Sequence, residues 1–297
     1  MRTATKNKNK FVLTLMFTII IILTLVVVVL VAALMKRPAE EIDPHEGQVY
    51  INDGFGMVWM TPLEGVDVNN ISQSDIVRYD GVPKYVGEGY ETLRGVDVSE
   101  HQYDIDWAAV AASGVDFAYI RLGYRGYTQG DLEQDAYFAQ NLDGASAAGL
   151  DVGVYFFSQA ITTDEAAEEA ELVLSMLEGR TLAYPVIFDW EDIEADARTD
   201  GMTSVLLTDI AETFCKTIED AGYRAGIYFN QRFGYQEFDL LRLQERVFWL
   251  AEYNIPPTFD YDFQIWQYTS EGTVSGIDTP VDLNLSFGDW GTADETE

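Results

Sequence analysis

One cysteine, Cys215, stands among the 297 residues, so no intrachain disulfide can staple this fold. Its setting among Leu206, Ile210, Phe214 and Ile218, at helical spacing, predicts a buried and inert thiol. Only two histidines occur, His45 and His101, and neither has metal-ligand spacing. A histidine zinc site therefore lacks material, as does a Ser-His-Asp triad in a chain with no Gly-x-Ser-x-Gly elbow, and neither metal nor cofactor is expected. Basic residues are scarce, 18 Lys and Arg against 50 Asp and Glu, for a net charge of −32. Six of those bases fall in positions 1–37, which hold no acid, leaving 12 bases against 50 acids, or −38, for the remainder. A field of that sign repels polyanions, which excludes nucleic acid as a partner. Most of the acids serve solvation, and only a few are available for chemistry.

Charge is absent altogether between Phe11 and Met35, an apolar run long enough to cross a bilayer as a helix. Arg2, Lys6, Lys8 and Lys10 precede it without an acid, which predicts a cytoplasmic N-terminus and an exported remainder. A cleaved signal sequence is the competing reading, but Ala32 and Ala33 before Leu34 and Met35 make a poor cleavage site. The expected organisation is a cytoplasmic tail over 1–10, a transmembrane signal anchor over 11–35 and a spacer or small β-rich appendage over 36–93. One large domain over 94–292 and an acidic tail over 293–297 complete it. The spacer shows turn residues and short apolar clusters, Val58–Met60 and Ile76–Tyr79, without helical period.

From Gly95 onward, short apolar runs alternate with helical stretches, the signature of an α/β architecture. Strands are expected at 95–99, 117–123, 152–158, 185–191, 224–230, 247–253, 263–268 and 280–284. Helices are expected over 107–112, ahead of Gly114; over 166–177, behind a capping box of Thr162 and Glu165; and over 209–221, ahead of Gly222. A Gly- and Thr-bearing loop, not a helix, joins the last two strands, so a barrel built this way is irregular near its C-terminal end.

Barrel sites lie at the C-terminal ends of the parallel strands. In Val186–Glu191, alternation puts Ile187, Asp189 and Glu191 on one face, so two carboxylates with Cα atoms roughly 6.6 Å apart enter one cleft. Two solvated loop acids are the bland reading, weakened by the apolar run leading into them. Asp97 shares a face with Gly95 and Ser99, and Asp282 with Asn284, so four acids are expected around one mouth. Tyr228, Asn230, Tyr253 and Arg121 fall on candidate inner faces, Arg121 placed to steady a carboxylate or a substrate oxygen. Among the remaining aromatics, core packing is expected for Tyr155, Phe156, Phe157, Trp190 and Trp249, whereas Trp266 joins Tyr253 and Tyr228 as a cleft-lining candidate. A polar, aromatic, acid-rich cleft suits a sugar.

Five segments carry a resemblance. They are Gly95-Val-Asp97-Val-Ser99 with Gln102 and Ile105-Asp-Trp107; Asp189-Trp-Glu191; Gly226-Ile-Tyr228; Trp249-Leu-Ala251-Glu-Tyr253; and Trp266-Gln-Tyr268, leading through Gly272, Val274 and Gly276 to Val281-Asp282-Leu-Asn284. In this order they resemble the glycoside hydrolase family 25 lysozymes over about 95–290. The resemblance implies a modified, irregular (β/α) TIM-like barrel and a peptidoglycan hydrolase cleaving the β-1,4 bond between N-acetylmuramic acid and N-acetylglucosamine. It implies Glu191 as general acid and Asp97, Asp189 and Asp282 as supporting acids, with Tyr228, Tyr253, Trp266 and Arg121 as substrate-binding candidates. The pattern departs at Tyr103, where a glycine is usual, and over Arg121–Tyr124. Attack by the substrate's acetamido oxygen and direct attack by water both remain open. So do two other readings, a non-hydrolytic wall-binding surface protein and a glycosidase acting on chitin or another N-acetylated glycan. Expected partners are peptidoglycan strands and, through the N-terminal helix, the membrane; the expected state is a monomer.

Overall fold

The computed structural model describes residues 2–35, 43–52, 56–79, 81–193, 195–253 and 255–288; the expected acidic tail over 293–297 lies outside these residues. The chain divides into two compact units, 1–46 and 47–297. The first is the helix α1 (Arg2–Met35). Its stretch Lys10–Ala33 is long and apolar enough to cross a membrane, and its apolar side chains lie exposed.

The second unit opens with two antiparallel hairpins, β1 (Val49–Asn52) with β2 (Met57–Met60), and β3 (Ile76–Tyr79) with β4 (Val82–Tyr85). These residues, read from sequence as a spacer or appendage, are tied to the domain that follows. Asn69 N–H donates to the Asp260 carbonyl at 2.7 Å, Asp262 N–H to the Asp67 carbonyl at 2.9 Å, and Leu63 N–H to the Tyr261 hydroxyl. Ile51, Val66, Ile71 and Ile76 are buried in the same core as the barrel.

The remaining strands are β5 (Thr92–Val98), β6 (Phe117–Arg125), β7 (Leu132–Gln134), β8 (Asp151–Ser158), β9 (Val186–Trp190), β10 (Ala225–Asn230), β11 (Val247–Ala251), β12 (Ile265–Gly272) and β13 (Val281–Phe287). They form a sheet in the order β5-β13-β12-β11-β10-β9-β8-β6-β7, and a further β5–β6 pairing closes it into an eight-stranded barrel with β7 outside the ring. From β5 through β6, β8, β9, β10 and β11 to β12 every pair is parallel. β13 instead runs antiparallel to both β12 and β5. The physical reason is the short 273–280 connection: a parallel return needs a crossover of a dozen or more residues, and a loop of this length permits only a hairpin. That reversal fixes the irregularity expected near the C-terminal end of the barrel.

Helices α2 (Trp107–Ala112), α3 (Phe138–Ala147), α4 (Thr163–Leu177), α5 (Ser204–Asp220) and α6 (Leu240–Leu243) follow the strands. The Thr162 hydroxyl caps α4 by accepting from Glu165 N–H, and Thr203 caps α5 in the same manner. Outward strand residues such as Phe188 meet inward helix residues such as Phe214, and Cys215 is buried in this layer.

A second cluster fills the barrel itself: Phe117, Tyr119, Tyr184, Ile187, Tyr228, Trp249, Ala251 and Ile265. Phe117 stacks on Tyr184 and Tyr119 on Trp249, each with ring centroids 4.5 Å apart. Gly95 leaves room for this plug, since a Cβ there would lie 2.1 Å from the Phe117 ring. With rings filling this part of the interior, the polar hollow is left beyond them, where the parallel strands end.

Candidate active site

Asp97 sits near the end of β5, buried, and takes two amide donors on one oxygen: Asn284 Nδ2 at 2.7 Å and Gln267 Nε2 at 3.1 Å. Gln267 is oriented for this by the hydroxyls of Tyr228 and Tyr253, which donate to its Oε1 at 3.1 and 3.0 Å. Asn284 is oriented by Trp249, whose indole N–H donates to Asn284 Oδ1 at 2.9 Å. The aromatic plug and the hollow thus share a hydrogen-bonded floor.

Asp282 is the register partner of Asp97 in the antiparallel ladder, which brings the start of β13 to the same end as the finish of β5. Directly opposed residues in such a ladder have Cα atoms about 4.5–5.5 Å apart, so these carboxyls are neighbours. Asp189 lies one residue before the end of β9, between Phe157 of β8 and Tyr228 of β10. It is buried and its Oδ1 has no hydrogen-bond partner. Glu191 follows β9 on the same face. Glu191, Asp97 and Asp282 line a hollow of about 280 Å³ with Arg121, Tyr155, Phe157, Tyr228, Tyr253, Gln267, Ser99, His101 and Gln102. A larger hollow of about 420 Å³, walled by Leu63, Val205, Phe238 and Leu241, gathers no such set of facing buried acids. Chemistry, not size, marks the site.

All four carboxyls are pushed above the ordinary acid range. Burial is the first cause on each. Asp97 is raised further by Asp282, against the lowering pull of its two amide donors. Asp189 is raised by Glu191 and Asp97, while Arg121 opposes the shift. Glu191 is raised to about 7 by burial and then by Asp282, and Asp282 to about 6. Four such groups cannot all be ionised at neutral pH, so the cluster holds protons jointly. Glu191, partly open to the hollow, is placed to hand one to a ligand. Among the described residues no group of His, Cys, Asp or Glu is arranged to hold a metal ion.

Residues 96–277, more than half of the chain, match the family model described as glycosyl hydrolases family 25. The chain belongs to glycosyl hydrolase family 25. This family 25 chain is 26% identical over 193 residues to the autolytic lysozyme of Clostridium acetobutylicum, a match covering 65% of this chain and 55% of that one. It is 26% identical over 206 residues to lysozyme M1 of Streptomyces globisporus, covering 65% and 67%. Among solved structures, the modular autolysin LytC of Streptococcus pneumoniae superposes with a TM-score of 0.60 at 24% identity, covering 81% of this chain and 56% of that one. A family 25 glycosyl hydrolase of Bacillus anthracis superposes with a TM-score of 0.57 at 23% identity, covering 69% and 92%. The chain spans about half the length of the Clostridium lysozyme and of LytC. The two structural likenesses speak for the barrel.

Within this family 25 barrel, the structure brings Asp97, Asp189, Glu191 and Asp282 together, with Tyr228 and Tyr253 beside them. Arg121 lies on the wall, its Nε held by Asp135 at 2.8 Å and its Nη2 by Glu100 at 3.1 Å, so it acts first as a fixed positive charge near Asp189. Trp266 is a correction. It is fully buried on the outer face of β12, and its indole N–H donates to the Glu252 carbonyl at 2.7 Å. Alternation turns its neighbours Ile265 and Gln267 inward, so Gln267 occupies the place expected of Trp266. Tyr155 and Phe157, read from sequence as core-packing residues rather than cleft-lining candidates, line the hollow. Asp282 is the neighbour that raises Glu191, whereas Asp189 and Asp97 are themselves raised by it.

Proposed function

We propose that this family 25 hydrolase cleaves the glycan strands of peptidoglycan at the β-1,4 bond between N-acetylmuramic acid and N-acetylglucosamine, with Glu191 as proton donor. The observation that carries the reading is the meeting of Asp97, Asp282 and Glu191 around one sugar-sized hollow, with Asp189 buried beside them and Glu191, partly open, raised to about 7. A carboxyl still protonated at that pH can give its proton to the glycosidic oxygen as the bond to the anomeric carbon breaks. The unpartnered Asp189 Oδ1 is the acceptor that an acetamido N–H needs. Held there, the acetamido carbonyl oxygen attacks the anomeric carbon and forms a cyclic intermediate. Water then opens that ring, returning its proton to Glu191. Tyr228, on the strand beside Asp189, joins Tyr253 and Gln267 in presenting hydroxyl and amide groups to the sugar. The lysozyme names of the Clostridium and Streptomyces relatives support the wall substrate. The apolar helix α1 supports a chain held in the membrane by its N-terminus, with the barrel on the outer side.

Full-length protein in detergent, incubated with peptidoglycan and scored for released reducing ends, tests this. Glu191→Gln is expected to lower the rate by about 10²–10⁴-fold. Release at the parental rate would remove Glu191 from the role of acid. Equal release from chitin would overturn the wall substrate while leaving the acid in place.

A further inference from the structure

Glu191 stands one residue beyond the last rung of the sheet. β9 pairs with β8 as far as Ser158 and Trp190, and with β10 as far as Tyr228 and Asp189, so the Glu191 carbonyl has no strand partner. A side chain takes that place. Gln159, the first residue after β8, donates Nε2–H to the Glu191 carbonyl at 3.0 Å and to the Ser158 carbonyl at 3.0 Å. Gln159 is wholly buried, so its amide must point one way to satisfy both ends. Thr199, also buried, fixes that direction by donating its hydroxyl to Gln159 Oε1 at 3.1 Å.

The neighbour of Thr199 reinforces the arrangement. Arg198 donates Nη1–H to the Gln159 carbonyl at 3.2 Å and forks onto the Glu165 carboxylate at 2.5 and 3.0 Å. Its own N–H reaches the Tyr127 carbonyl at 2.9 Å. Neither Gln159 nor Thr199 lines the hollow, so whatever they contribute passes through Glu191.

We infer that Gln159 and Thr199 are positioning residues, a buried latch that ties the end of β8, the main chain of the acid and the Arg198–Thr199 segment into one rigid piece. The inference rests on Glu191 being the proton donor. A donor displaced by a fraction of an ångström loses in-line reach to the glycosidic oxygen, so loosening the latch lowers turnover without touching the sugar-binding wall. It also admits water to Glu191. The charged and titratable groups around Glu191, Asp189 on its own strand and Asp282, Asp97, Arg121, Tyr228 and Tyr253 on other elements, stay in place, but burial, the first cause of its raised pKa, is relieved. Its pKa then falls, and the basic limb of the kcat profile, set by loss of its proton, moves to lower pH.

Full-length Thr199→Val, Thr199→Ser and Gln159→Met, in detergent on peptidoglycan beside Glu191→Gln, decide the matter. Thr199→Val keeps shape but loses the donor. It is expected to lower kcat about tenfold with KM within about twofold, and to shift the basic limb acidward. Thr199→Ser, which keeps the hydroxyl, is expected to stay within about twofold of the parent in kcat and to hold its pH profile. Gln159→Met removes the other half of the latch and reproduces the shift should Thr199→Val fail to fold. The latch is overturned if Thr199→Val and Gln159→Met keep the parental kcat and profile while Glu191→Gln is inactive. A kcat loss with an unmoved basic limb overturns it too, since general loosening does that. An active Glu191→Gln instead removes the reading beneath it.

Discussion

Tyr103 caps the short turn Glu100–Gln102 with φ 54° and ψ −137°, a backbone conformation that side chains rarely accept. Its ring does little to offset this, being 60% exposed. A non-glycine residue held there costs on the order of 1–3 kcal/mol, while glycine costs roughly 0.5–1 kcal/mol more in unfolded-chain entropy. Strain outweighs that entropy. Tyr103→Gly is therefore expected to stabilise the fold by about 1 kcal/mol, read as a rise in the denaturation midpoint with the denaturant slope unchanged. A fall in midpoint would mean that the exposed ring makes a contact worth more than the strain. The turn borders the hollow through His101 and Gln102, so relief of strain is gained beside the very wall that holds Asp97.

At the scale of elements, the join between β6 and α4 rests on a buried ion pair. Arg125 Nε meets Glu169 at 2.7 Å, both side chains buried, and Arg125 also reaches Glu168 and the carbonyls of Gly130 and Glu165. Removing one partner leaves a buried charge uncompensated, at about 3–5 kcal/mol. Arg125→Met is expected to destabilise by that amount in chemical denaturation, and the double variant Arg125→Met, Glu169→Met to recover part of it; a double variant worse than the single would refute the pair as the cause. Nothing in the sequence linked Arg125 to Glu169, because the partners are set by how α4 lies over β6. The eight barrel strands, by contrast, were legible from alternation of apolar runs and helical stretches, and so were Asp189 and Glu191, whose parity follows from the run Val186–Trp190. Trp266 was misassigned because Ile265-Trp-Gln-Tyr offers large side chains on both faces, and a bulge after Gln267 breaks the alternation that would have chosen between them. Gln159 was invisible for a related reason: its partner is a main-chain carbonyl one step past a strand end, which no side-chain pattern marks.

Across the whole molecule, carboxyls raised by burial make the fold prefer protons. Glu191 is raised to about 7 and Asp282 to about 6, with Asp97 and Asp189 raised as well. In the unfolded chain these groups ionise near their ordinary values, so between about pH 4.5 and 7 the folded state binds more protons than the unfolded one. Stability is then lost as pH rises through that window, the reverse of a protein held by depressed, salt-bridged carboxylates. Net charge acts in the same direction, because a chain at −32 gains further repulsion with each acid that ionises. The melting temperature of the full-length protein in detergent is therefore expected to be higher at pH 5 than at pH 7.5. Added salt should raise it at pH 7.5 more than at pH 5, since screening acts on the surface repulsion and little on the buried cluster. At the site itself, Glu191→Gln removes one raised acid and so should flatten the pH dependence of stability while it suppresses turnover; a variant that kept the full parental slope would show that the proton is held elsewhere in the barrel.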